Sequence, residues 1–144
     1  MKATTNIPVG VSGTKATEVT RDMTVAHFQD HMPAVYGTPI MIYHMEVAAA
    51  ELIQQYLPAG WVSVGVVVDV KHLAATPIGA TVIAKAEVVA VGDNTVTFRV
   101  EAHDGVDKIG EGTHVRAAVE VELFLKRVQA KTQLMNDEGK LREV

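Results

Sequence analysis

One glutamate of the chain stands where an apolar residue is expected. The stretch Gly37-Thr38-Pro39 is a helix start signal, because Thr38 can cap the helix and Pro39 has no N–H to leave unpaired. At about 100° per residue, Glu46 falls on the apolar face of this helix, whereas Glu51 falls on the polar face. A buried carboxylate must find a partner or shift its pKa. Glu46 is therefore a candidate acid, base or nucleophile, and a structural ion pair with a strand is the alternative.

A histidine ends the apolar face of the strand that follows. His72 has the parity of five alternating valines at positions 62 to 70. A hydrogen-bonded core histidine is the plainer interpretation of one such residue. Together, Glu46 and His72 could form a general acid/base pair where the helix meets the sheet, with Thr38 adding a hydroxyl. Within the strand, Gly65 could bring a backbone N–H close to a substrate, or could simply bend the strand.

Hydrophobic periodicity predicts the elements that would position these residues. The predicted strands alternate with period two and are joined by short turns, which indicates an antiparallel meander after the helix. One apolar helix beside such strands gives an α+β fold with the sheet wrapped around the helix. The predicted elements are a first strand at 17–24, an irregular connection at 25–36, the helix at 39–56, and strands at 62–72, 82–90, 95–103 and 108–124.

The chain is divided into a flexible lead-in at residues 1–16, a single domain at 17–125 and a charged tail or short helix at 126–144. Three histidines are expected to face solvent or a contact with a second copy of the chain: His44 falls on the polar helix face, and His103 and His114 have outward parity on their strands. His27 and His31 have the spacing of a metal-binding pair on a helix, but their segment lacks a helical pattern and no third ligand is evident, so no metal is expected.

Composition excludes several classes of protein. A chain of 144 residues fits one domain, and 48% hydrophobic with 21% charged residues excludes a disordered chain. No cysteine is present, which excludes disulfides, thiolate zinc sites and cysteine nucleophiles. A net charge of −4 argues against nucleic-acid binding, and no apolar run could span a membrane. No secretory signal is recognised, and we expect a cytoplasmic protein.

Four stretches of the sequence resemble the fluoroacetyl-CoA thioesterase-like family of hotdog-fold proteins. The resemblance extends over residues 17–124 and is carried by residues 35–49, 68–80, 101–105 and 109–116. It implies a hotdog fold, in which an antiparallel sheet wraps around one long central helix. It also implies a homodimer or a larger homo-oligomer, with acyl-CoA sites at the subunit interface.

The resemblance assigns roles residue by residue. The family's catalytic threonine, glutamate and histidine match Thr38, Glu46 and His72. A glycine near the thioester carbonyl matches Gly65, and an arginine of the last strand matches Arg116, so both are expected to contact substrate.

The segment ahead of the threonine departs from the fluoroacetyl-specific pattern. In that pattern phenylalanines form a gate, but here Met32 occupies the gating position, and Tyr36 is a further expected substrate contact. The resemblance therefore implies an acyl-CoA thioesterase for another short or compact acyl group. It needs no cofactor, because CoA is part of the substrate. Glu46 could act as nucleophile or as general base. A non-catalytic acyl-CoA-binding protein and a hotdog enoyl-CoA hydratase are the alternative functions.

Overall fold

The computed structural model describes residues 2–138 of the chain. Five strands and three α-helices follow one another, with a 3-10 turn at Arg21–Met23. The strands are β1 (Ser12–Glu18), β2 (Trp61–His72), β3 (Thr81–Val91), β4 (Thr95–His103) and β5 (Lys108–Glu120). The helices are α1 (Val25–Phe28), α2 (Thr38–Gln54) and α3 (Val121–Asp137).

The strands form one antiparallel sheet in the order β1-β3-β4-β5-β2. Helix α2 packs on one face of this sheet and contacts all five strands. The core between helix and sheet buries Met41, Met45 and Ala49 from α2, together with Phe98 and Val100 from β4. This arrangement confirms the predicted α+β fold with a sheet around one long helix.

A close approach of helix and sheet depends on a glycine. A Cβ on Gly110 of β5 would lie 2.6 Å from Met41 Sδ and 3.0 Å from Met45 Cε. A Cβ at this position would push these methionine side chains aside, so Gly110 lets them lie directly against the backbone of β5. Gly110 is thus a site of tight packing between α2 and the inner face of β5.

The position of β2 differs from the predicted meander. Strands β3, β4 and β5 do follow one another, but β2 pairs with β5 at the far edge of the sheet. The segment between β2 and β3 therefore runs from one edge of the sheet to a position next to β1 at the opposite edge. Periodicity reports which face of a strand is buried and carries no information on which strand lies beside it.

Both ends of the domain also differ from the prediction. The first strand lies at Ser12–Glu18, so residues 12–16 belong to the sheet, and Ile7 is buried in the core. Strand β5 ends at Glu120, and the apolar residues that were predicted to continue it begin α3. Within the described part of the chain, α3 buries no side chain. The predicted tail beyond residue 138 lies outside the described residues, and the three-part division of the chain remains a prediction.

Among residues 2–138, no helix is long and apolar enough to cross a membrane.

Candidate active site

The first residue of α2 contacts the last residue of β2. Thr38 Oγ1 lies 2.7 Å from His72 Nδ1, within hydrogen-bonding distance. The helix N-cap is Gly37, and no side chain caps this end. The capping role considered for Thr38 is therefore wrong, because its hydroxyl is engaged with the imidazole instead.

This pair opens onto a cleft of about 380 Å³, lined by Val25, Val35, Tyr36 and residues 73–75 as well as by Thr38 and His72. Burial lowers the pKa of His72, although a backbone hydrogen bond with Ala74 partly opposes this effect. Within residues 2–138, no hydrogen bond of ordinary geometry reaches His72 Nε2, which is buried. Thr38 holds the other imidazole nitrogen, Nδ1.

The ring of Tyr36 packs against His72. This ring is 1% exposed and stands edge-on to His72, with 6.4 Å between ring centroids. The Tyr36 hydroxyl is hydrogen-bonded to His44 Nδ1. Burial raises the pKa of Tyr36, and burial, aided by the positive charge of Lys15, lowers that of His44. The expected solvent-facing position of His44 is wrong, because the segment that carries Tyr36 folds over this part of the helix and covers it.

Glu46 lies against the inner face of the sheet, as its position on the apolar helix face predicted. Its side chain is 35% exposed, and Oε2 is 3.1 Å from Arg116 NH1. A Cβ built on Gly65 would overlap Glu46 Oε2, so the carboxylate occupies the space that this glycine leaves. Glu51, on the polar face, is exposed. The two glutamates of one helix thus have the different environments that the helical projection assigned to them.

Ser63 holds the Arg116 side chain in addition to Glu46. Arg116 Nε donates to Ser63 Oγ at 2.8 Å, and its NH2 donates to the Ser63 carbonyl at 2.9 Å. The side chain is buried, which lowers the pKa of the guanidinium, whereas the Glu46 charge raises it. Arg116 is therefore committed to Ser63 and Glu46, and it does not face solvent where a CoA phosphate could bind.

His114 is buried beside Arg116, contrary to the outward position expected for it. It is 1% exposed and stacks on Phe98, with 6.0 Å between ring centroids. The apolar run of β5 suggested that odd-numbered residues face the helix, but His114, Arg116 and Ala118 are the buried ones. The signal that sequence reasoning missed is parity: His114 is two residues from Arg116, so the two share one face of the strand.

The structure thus assembles two clusters and does not join them. Thr38 with His72 forms one, and Glu46 with Gly65 and Arg116 forms the other. Thr38 and Glu46 are separated by about 12 Å along α2, from a rise of about 1.5 Å per residue. Between residues 2 and 138, no hydrogen bond or ion pair links the clusters. Within one chain, the three expected catalytic side chains do not meet.

Met32 precedes the first cluster and is 37% exposed. It is not among the residues that line the cleft beside Thr38. Phe28, the only nearby phenylalanine, is 55% exposed on the surface of the same connection. The structure therefore leaves the role of Met32 as a gate untested.

Comparison with known proteins agrees with this architecture. The family described as fluoroacetyl-CoA-specific thioesterase matches residues 19–122. A fluoroacetyl-CoA thioesterase of Streptantibioticus cattleyicolor is 44% identical over 100 residues, which cover 69% of this chain and 72% of that protein.

Solved structures give the same result. A fluoroacetyl-CoA thioesterase structure is 38% identical, with a TM-score of 0.83 and coverage of 87% of this chain and 97% of that one. A thioesterase superfamily member from Thermus thermophilus is 30% identical, with a TM-score of 0.81 and coverage of 89% and 97%. A hot-dog-like protein from Thermanaerovibrio acidaminovorans is 28% identical, with a TM-score of 0.83 and coverage of 91% and 97%. The predicted hotdog fold is confirmed, and the chain belongs to the family of fluoroacetyl-CoA-specific thioesterases.

Proposed function

We propose that the chain is a thioester hydrolase that cleaves a short or compact acyl-CoA to the free acid and CoA. The single observation that carries this proposal is the carboxylate of Glu46, which is held by Arg116 against the backbone of Gly65 on the inner face of the sheet. The missing Cβ of Gly65 lets the carboxylate lie directly against the strand, at a position from which a side chain would displace it.

Glu46 is proposed to act on the thioester carbonyl by one of two routes. As a nucleophile it would bond to the carbonyl carbon while the C–S bond breaks, giving an acyl anhydride and a CoA thiolate that takes up a proton. Water would then hydrolyse the anhydride. As a general base it would instead take a proton from the attacking water. Mass spectrometry of protein quenched during turnover separates these routes, because only the first leaves an acyl group on Glu46.

His72 and Thr38 are proposed to complete the catalytic group. If the Thr38 hydroxyl donates to Nδ1, the imidazole carries its proton on Nε2, the buried nitrogen that no hydrogen bond of ordinary geometry reaches within residues 2–138. An unsatisfied buried polar group costs about 1–3 kcal/mol, so a substrate oxygen that accepts this N–H would be bound favourably. Such a donor would stabilise the oxyanion that forms at the thioester carbonyl.

We propose that a homodimer brings the two clusters together. Strand β2 is an edge strand that exposes Val66, Val67 and Val68 by 54%, 47% and 42%. An exposed apolar edge strand favours pairing with another strand. Antiparallel pairing of two β2 edges centred near Val68 would bring Gly65 of one protomer opposite the partner subunit's His72. Each site would then combine Glu46 of one protomer with the first cluster of the other.

Gly65, Met32, Tyr36 and Arg116 remain proposed substrate-binding residues, with different contributions. Gly65 would meet the carbonyl group, and Met32 would border the acyl group. Tyr36 would act mainly through His72, because its ring is buried, and Arg116 through Glu46. The proposed enzyme is cytoplasmic and uses no cofactor or metal, since CoA is part of the substrate.

A free-thiol assay over a panel of acyl-CoAs tests the proposal. The chain has no cysteine, so a thiol reagent reports only the released CoA. The panel runs from acetyl and fluoroacetyl to medium-chain and aromatic groups, and Glu46→Gln is compared with Glu51→Gln, a matched exposed glutamate of the same helix. We expect thiol release that falls about 10²–10⁴-fold in Glu46→Gln and is unchanged in Glu51→Gln.

Two outcomes would reject the proposal. Saturable acyl-CoA binding without thiol release would support a binding protein. A loss of enoyl-CoA absorbance without thiol release would support a hydratase.

A further inference from the structure

We propose that His114 is a positioning residue that holds the Arg116 guanidinium on Glu46. This inference rests on the proposed function, because it concerns the carboxylate assigned to catalysis there. His114 lies on the buried face of β5, two residues before Arg116, and its imidazole lies between the core and the second cluster. The sequence pattern did not predict a role for His114, and the family resemblance does not assign it one.

The two nitrogens of His114 have different neighbours. Nδ1 is 2.7 Å from the Val67 carbonyl, which can only accept, so Nδ1 carries the proton. Burial is the main effect on the pKa of His114 and lowers it, which favours the neutral ring. In a neutral ring with the proton on Nδ1, Nε2 is an acceptor. It lies 3.2 Å from Arg116 NH1, which can only donate.

Arg116 NH1 therefore bridges two acceptors. It donates to Glu46 Oε2 at 3.1 Å and to His114 Nε2 at 3.2 Å. The other two nitrogens of the guanidinium are held by Ser63. With the His114 acceptor in place, the guanidinium is held on two sides, and the nitrogen that meets the carboxylate has a fixed orientation.

His114 also fastens the strand that carries Gly65. The pairing of β2 with β5 shifts register between Gly65 and Val67, which marks a β-bulge. The carbonyl that His114 binds belongs to Val67, directly after this bulge. One imidazole thus connects the bulge beside Gly65 with the guanidinium beside Glu46, so a change at His114 is transmitted to both sides of the carboxylate.

The groups that face His114 come from four elements. Phe98 of β4 stacks on the ring, Val67 of β2 accepts from it, Arg116 of β5 donates to it, and Glu46 Oε2 of α2 lies 4.0 Å from Nε2. Protonation of Nε2 would replace the acceptor with a donor. The ring would then repel the guanidinium and compete with it for Glu46.

Two substitutions separate the two contacts of the ring. In His114→Asn the amide N–H can reach the Val67 carbonyl in place of Nδ1, but no acceptor reaches Arg116. In His114→Gln the longer side chain places its amide oxygen at the depth of Nε2, where it can accept from Arg116. We expect kcat to fall about tenfold in His114→Asn with KM within about threefold of wild type, and His114→Gln to recover most of the loss.

The controls keep folding and catalysis apart. His103 is an exposed histidine at the end of β4, and the control variant His103→Asn should leave kcat unchanged. If His114→Asn does not fold, His114→Phe retains the ring volume against Phe98 without any acceptor, and the same loss of kcat is expected. Equal kcat values for His114→Asn and His114→Gln, or a wild-type kcat in His114→Asn, would overturn the inference.

A second readout needs no substrate. In wild-type protein labelled with ¹⁵N, the Arg116 guanidinium should give separate NH1 and NH2 signals, because rotation about its Cζ–Nε bond is hindered by contacts on both sides. Because Ser63 and Glu46 still hold the guanidinium in His114→Asn, we expect the exchange between these signals to become faster in this variant and to stay as in wild type in His114→Gln. An exchange rate in His114→Asn equal to that of wild type would show that His114 does not hold Arg116. If the wild type releases no thiol, the proposed function fails, and this NMR result alone decides on the contact.

Discussion

A single methyl group at Gly65 should impair catalysis without unfolding the protein. The Cβ of Gly65→Ala would overlap Glu46 Oε2 and lie 3.3 Å from His114 Cε1 and 3.5 Å from Arg116 NH1. The contact with His114 is tight and the one with Arg116 is an ordinary van der Waals contact, so neither residue must move by more than a few tenths of an ångström. The overlap is with the carboxylate, which must therefore shift. It is the end of a flexible, partly exposed side chain, so it can move, and the cost to stability is limited to a longer contact with Arg116 NH1, because the other guanidinium nitrogens stay bound to Ser63.

The size of the effect follows from that displacement. To reach ordinary van der Waals distance, Oε2 must shift by on the order of 1 Å, and a misplacement of this size costs about a hundredfold in rate. We therefore expect kcat/KM of Gly65→Ala to fall about 10²-fold in the free-thiol assay. The melting temperature should stay within a few degrees of the wild-type value.

Gly13→Ala serves as the matched control, because Gly13 is also a strand glycine but lies on β1. The three atoms nearest its added Cβ all belong to the Leu52 side chain, at 3.3 Å or more. This variant should hydrolyse the substrate like wild type. If Gly65→Ala kept kcat/KM within about threefold of wild type while Glu46→Gln lost activity, the reasoning on the position of the carboxylate would be refuted.

Three further predictions concern the first cluster, pH and assembly. Thr38→Val, which loses the hydrogen bond to His72, should lower kcat about tenfold, and Thr38→Ser should restore it; equal rates in the two variants would contradict a role for the hydroxyl. His44 and His72 have pKa values below the ordinary 6.5, so the unfolded chain binds more protons and the free energy of unfolding should decrease as pH falls below about 6.5. Urea titrations at several pH values check this, and a flat dependence between pH 7 and pH 5 would oppose it. Val67→Glu should give monomers in sedimentation velocity and abolish thiol release, whereas Val106→Glu, at an 89% exposed position, should do neither. A monomeric wild type with full activity would exclude the proposed shared site.

Local patterns in the sequence determined much of this protein. The Gly37-Thr38-Pro39 signal located the start of α2 to within one residue, and the helical projection separated Glu46 from Glu51. These features depend on residues within a few turns or one strand of each other, so they can be deduced without knowing what packs against them. The resemblance to a family added the choice of catalytic residues, which periodicity alone left open.

Only the tertiary structure decided how the elements meet. It moved β2 to the edge of the sheet beside β5 and turned His114 and Arg116 toward the core. It also confirmed the bend at Gly65, which the sequence had left as one of two alternatives. Strand neighbours and bulges are set by pairing between segments that are far apart in sequence, and a shift of one residue reverses which face of a strand is buried. The sequence could therefore indicate that the Glu46 carboxylate lies on the apolar face of a helix. Which groups lie beside it, the Arg116 guanidinium and the His114 imidazole, depends on long-range packing.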